Sequence, residues 1–93
     1  MMIPVLEIAR HERGQYEWAI SYGNERHYGE DGLSSITTCL SHAVLGLRTD
    51  DLLVELRYRA VAMGTVSRRI LEEAPEVIAE KIANDYGILV ACM

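Results

Sequence analysis

Cys39 and His42 stand three residues apart, the only cysteine–histidine pair that this sequence sets close together. An imidazole beside a thiol can draw off its proton and leave a nucleophile, provided that a third group orients the ring. No such group lies near them in the sequence. A zinc site would need two or three more ligands, with His11 and His27 as the remaining histidines. The pair therefore reads as a small residue at the edge of a core and a surface imidazole. His11-Glu12 and His27-Tyr28 sit on or beside turns, where an acid–base pair can be presented, but scattered histidines with such neighbours arise readily by chance. Cys39 and Cys92 lie far apart, form no metal or redox spacing, and read as reduced, buried thiols. These residues assign no catalytic role and no metal.

The second group that could do chemistry is basic. Eight of the nine basic residues are arginine, the better bidentate partner for phosphate and carboxylate, and Lys81 is the ninth. Arg57 and Arg59 alternate, with Arg68, Arg69 and Arg48 near in sequence, so Arg57, Arg59, Arg68 and Arg69 form a candidate anion contact. Alternating arginines on a sheet face can follow phosphates while neighbouring aromatics stack bases. Against this, Glu55 shares their face, Tyr58 points to the other, and Glu72, Glu73 and Glu76 supply local counter-charge. The formal net charge of −5 further disfavours general affinity for nucleic acid or acidic membranes. Glycines occur singly, so no loop cradles a phosphate, and no cofactor is implied.

The third candidate is a surface. Leu33 to Leu47 has helical periodicity, with Ile36, Leu40, Ala43, Val44 and Leu47 as its apolar stripe and Ser34 or Ser35 as cap. Its opposite side carries Ser34, Thr38, Ser41, His42 and Leu45, without one charged residue. Solvated helix faces are usually charged, so this side reads either as a small, weakly polar surface or as one covered by a protein partner or a second copy, with Thr38, Ser41, His42 and Leu45 as the candidate contacts.

Other elements must hold these groups in place. Residues 3–22 read as a β-hairpin, because Tyr16, Trp18, Ile20 and Tyr22 alternate with polar or small residues. A three-residue Glu12-Arg13-Gly14 loop with Gly14 left-handed sets Ile8 opposite Trp18 and Leu6 opposite Ile20. Glu25 to Tyr28 suggests a short edge strand, broken by Gly29-Glu30-Asp31-Gly32. Residues 52–63 fit a strand with Val54, Leu56, Tyr58, Ala60 and Ala62 on one face better than a helix. Ser67 can cap a helical turn that kinks into a helix opened by Pro75, whose apolar side holds Ile78, Ala79, Ile82, Ala83 and Tyr86. Gly87 is the expected stop. Ile88, Leu89, Val90, Ala91, Cys92 and Met93 then read as an uncharged strand buried in the sheet, parallel to the strand before it, or else as a segment that pairs or packs against a second chain.

The expectation is thus one α+β domain over 1–93: a two-layer sandwich with a small, mostly antiparallel sheet, in the order β-β-(β)-α-β-α-β, and two helices on one face. Met1-Met2-Ile3-Pro4 opens no signal peptide and no run is long enough to span a bilayer, so the chain is expected to be cytoplasmic. Functionally it reads as a small non-enzymatic regulator, adaptor or inhibitor that acts by surface contact as a homodimer. The alternatives are a nucleic-acid-binding module using the arginines and a small enzyme using His42 and Cys39.

Overall fold

The computed structural model describes residues 2–91. Val5–Glu12 (β1) and Gln15–Tyr22 (β2) pair antiparallel, with Leu6 opposite Ile20 and Ile8 opposite Trp18, as the alternation requires. The turn differs from expectation in one respect. Glu12 closes on Gln15 around Arg13-Gly14, and the additional residue is taken up as an irregularity between Arg10 and Glu12. Gly14 has a φ of 76°, the left-handed backbone that only glycine adopts without penalty.

Glu25–Leu33 (β3) runs well past Tyr28 and pairs antiparallel with β2 through two register irregularities. Ile36–Gly46 (α1) follows, capped by Ser35, whose Oγ accepts the Thr38 N–H at 3.1 Å. Leu53–Tyr58 (β4) lies parallel to β1, with Leu56 beside Leu6 and Tyr58 beside Ile8. The chain then reverses at Arg59-Ala60, with φ values of 50° and 67°, into Val61–Ser67 (β5), antiparallel to β4. The expected single strand through Ala62 is thereby split in two. Arg68–Glu73 (α2) begins at the Ser67 cap and runs through Ala74 into Pro75–Ala91 (α3).

The sheet order is β3-β2-β1-β4-β5, and the helices are layered on it in an α+β arrangement. Three strand pairs are antiparallel; the parallel one is β1–β4, at the centre rather than at the C-terminus. Leu6, Ile8, Trp18, Ile20, Val54, Leu56 and Tyr58 form the buried face, against which Cys39, Leu40, Ala43, Leu71, Ile78 and Ile82 pack. Each fully buried aliphatic side chain there contributes roughly 1.5–3 kcal/mol. Gly46 lets α1 approach closely, because a β-carbon would sit 3.2 Å from the Trp18 ring. The Tyr58 and Tyr86 rings meet edge to face at 5.0 Å and hold α3 over the far end of β4.

Among the described residues the C-terminal strand is not formed. Gly87 lies inside α3, and Ile88, Leu89, Val90 and Ala91 continue the helix with exposed side chains. A mid-helix glycine costs only about 1 kcal/mol, which a seventeen-residue helix absorbs. The position beside β4 that the tail would have filled is taken by β5. The predicted strand residues Cys92 and Met93 lie outside the described residues.

Candidate interaction surface

The Cys39–His42 pair does not assemble into a nucleophile. Cys39 is fully buried, and that burial is the main reason its thiol is pushed up to about 12. His42 points outward, and its Nδ1 lies 2.8 Å from Glu30 Oε1. The same carboxylate oxygen accepts from Trp18 Nε1 at 3.2 Å. These two bonds, His42 first, hold the Glu30 carboxyl below the ordinary glutamate value, since both favour its charged form. An orienting carboxylate for His42 thus exists on β3, twelve residues upstream, where sequence proximity could not show it. The thiol that it would serve lies on the buried side of α1. Glu30, Trp18 and His42 instead tie β3, β2 and α1 together.

His11 Nε2 pairs with Glu17 at 3.1 Å across the first hairpin, and the His27 ring packs edge-on against Tyr22 and Tyr28. Among the described residues no group of three or more His, Cys, Asp or Glu side chains is arranged to hold a metal ion. No helix among them is long and apolar enough to cross a membrane.

The four arginines are not brought together. Arg57 remains on the open sheet face, with its guanidinium bonded to the Ala60 carbonyl at 3.1 Å. Arg59 has left the strand for the turn and lies 5.0 Å over the Tyr86 ring. Arg68 and Arg69 stand at the other end of the β4–β5 hairpin, bound to Glu72 at 2.7 Å and Glu73 at 3.0 Å. Two pairs at opposite ends, one of them neutralised on its own helix, do not form a continuous cationic track for an anion.

The outer face of α1 keeps only part of its expected freedom. The Thr38 hydroxyl lies 2.9 Å from Ser35 Oγ, and His42 is held by Glu30. Ser41 and Leu45 remain free to face solvent, and with Val44, Arg68, Leu71 and Glu72 they line a shallow groove between α1 and α2. Leu45 is 86% exposed. A second apolar region, which the periodicity did not suggest, occurs where the end of α3 passes β5. Ala62, Met63, Asp85, Ile88 and Leu89 line a groove there, and Ile88 is 62% exposed.

A further polar cluster joins Arg48 and Asp51 to Tyr22, whose distance along the chain hides the connection in the sequence. The Tyr22 hydroxyl donates to Asp51 Oδ2, which also accepts the Arg48 N–H at 3.0 Å. The Arg48 guanidinium lies 4.1 Å over the Tyr22 ring. Burial, and then the bond to Asp51, push the Tyr22 hydroxyl above its usual value of 10. The cluster fastens the α1–β4 connection to the end of β2 and is structural.

Comparison with family models, curated proteins and solved structures finds no match.

Proposed function

We propose that this chain is a small, non-enzymatic, cytosolic interaction protein that acts by surface contact and self-associates as a homodimer. The observation that carries the surface-contact part of this reading is Leu45, 86% exposed on a helix face without charge. An unpartnered leucine in such a setting favours removal from water against another protein surface. Ser41 and Leu45, beside the α1–α2 groove, are the residues that would meet a partner.

The distribution of reactive groups accords with this reading. The thiol is buried and protonated, the imidazole of His42 is bonded to Glu30, and Arg68 and Arg69 are paired with glutamates of α2. A free, reduced Cys39 also suits a cytosolic compartment.

Light scattering on purified protein at micromolar concentration tests self-association, with twice the chain mass expected. A single-chain mass throughout that range would contradict the reading. The non-enzymatic part is tested by thiol alkylation of folded protein. Cys39 should react no faster than global unfolding permits, whereas rapid native-state modification would restore the nucleophile.

A further inference from the structure

Both long margins of the sheet are strand edges, and only one carries charge. β3 holds Glu25, Arg26, Glu30 and Asp31, whereas β5 reads Val-Ala-Met-Gly-Thr-Val-Ser. Charge and register irregularities protect an edge from pairing; β5 has a single irregularity and no charge.

The hydrogen-bond pattern identifies which backbone groups of β5 are free to pair. Glu55 N donates to Pro4 O at 3.0 Å and Arg59 N to Ile8 O at 2.9 Å, while Arg68 N donates to Leu52 O at 2.9 Å. Odd-numbered β4 residues therefore turn their backbone groups to β1, and even-numbered ones turn theirs to β5. With Leu56 opposite Gly64 and Val54 opposite Val66, Gly64 and Val66 face β4. Thr65 and Ser67 face outward. Such a row is complementary to another extended backbone.

The helix above this margin carries a matching pattern. Val77, Lys81, Asp85 and Ile88 recur at helical spacing along one side of α3, and Asp85 and Ile88 share a groove with Ala62 and Met63 of β5. Lys81 and Asp85 already lie 3.8 Å apart as a loose, exposed ion pair within the helix. Reversed upon itself, the stripe sets Val77 against Ile88 and brings each Lys81 against the Asp85 of the other copy as well. Its centre falls near residue 83, and the order apolar, positive, negative, apolar is self-complementary only for an antiparallel partner. The stripe from Val77 to Ile88 runs roughly 18 Å, within the roughly 23 Å of the seven-residue strand.

We propose that a second copy of this chain pairs antiparallel along β5, continuing the sheet across a two-fold axis, with the two α3 helices side by side above the seam. This rests on the homodimer reading above and gives it a location, leaving Leu45 and the α1 face free for a different protein. A two-fold axis makes every contact occur twice.

Sedimentation across a concentration series, with circular dichroism to verify folding, tests the seam in wild type and four variants. Thr65→Pro removes an outward N–H without touching the β4 ladder and should weaken the dimer at least about tenfold, since two copies of the bond are lost. Lys81→Glu also breaks the pair within each α3, an effect read separately as lost helicity in the dilute single chain. Beyond it the dimer should weaken roughly tenfold, and Lys81→Glu with Asp85→Lys should restore it, because the swap rebuilds the pairs across the seam. Leu45→Glu should sediment as wild type. If Thr65→Pro does not fold, Lys81→Glu and its swap decide. A dimer unaffected by Lys81→Glu, or dissociated by Leu45→Glu, overturns the seam while the homodimer reading stands. A wild-type chain that is monomeric throughout overturns that reading itself.

Discussion

The two margins of this sheet are built by opposite means. Along β3, Trp18 and His42 bond to Glu30, Arg26 lies over Gly29, and the strand is interrupted twice in its pairing with β2. Its side chains are engaged inward or charged outward, so a second backbone finds no regular row to join. Along β5 the residues are small, apolar or hydroxylic, the outward amides of Thr65 and Ser67 are presented in register, and apolar side chains of α3 stand beside them. Net charge does not distinguish such surfaces: the −5 of the whole chain is distributed away from β5. Local patterning, not net charge, distinguishes the two edges.

Both margins belong to one five-stranded sheet, and the largest expected effect tests whether that sheet unfolds as a single unit. Leu56, between β1 and β5 and almost fully buried, should cost about 3 kcal/mol when replaced by alanine, through lost burial and the cavity left behind. Chemical denaturation followed by Trp18 fluorescence and by far-ultraviolet dichroism should move together. Separate transitions would mean that the β3 and β5 sides unfold as different units.

A smaller effect concerns the tie between the end of β2 and the α1–β4 connection. Tyr22→Phe removes the bond to Asp51 and should cost about 1 kcal/mol in the same measurement. The hydroxyl value is raised in the folded state, so the folded chain holds that proton more tightly than the unfolded one. Stability is accordingly full below pH 10 and declines as the pH rises through the folded value. Tyr58, raised chiefly by burial, contributes in the same direction. Tyr22→Phe should flatten part of the alkaline decline, and an unchanged profile would remove Tyr22 from the account.

The smallest effect sharpens the contrast at β3 itself. Glu30 has a lowered folded value, so its contribution is present above the ordinary glutamate range near pH 4.5 and lost as the pH falls through the folded value. Trp18 fluorescence should titrate with a midpoint below 4.5, and Glu30→Gln should abolish the step. A step that survives the substitution would assign it to another carboxylate.

What the sequence made legible follows the same local logic. Alternation around Trp18 and Ile20 fixed the hairpin register, and Ser35 and Ser67 marked two helix starts, because these signals are complete within a few residues. The turn at Arg59-Ala60 was hidden because it takes left-handed backbone without glycine or asparagine, the usual sign of such a turn. That omission also misplaced Arg59, so the arginines looked continuous when they are split. Residues 88–91 are uncharged and few, and periodicity over so short a run does not separate strand from helix. Their state was settled by β5 taking the place beside β4. Glu30 could not be connected with His42 from sequence, since that bond depends on where β3 meets α1. The uncharged face of α1 was readable, but the use of Thr38 in the cap and of His42 by Glu30 was not.

Amide hydrogen exchange on wild type, read at Thr65 and Ser67 over a dilution series, tests the account most directly. These two amides should be protected in concentrated samples and become unprotected on dilution, while the margin at β3 exchanges alike in both. Rapid exchange at Thr65 and Ser67 in a sample whose mass is that of two chains would contradict it.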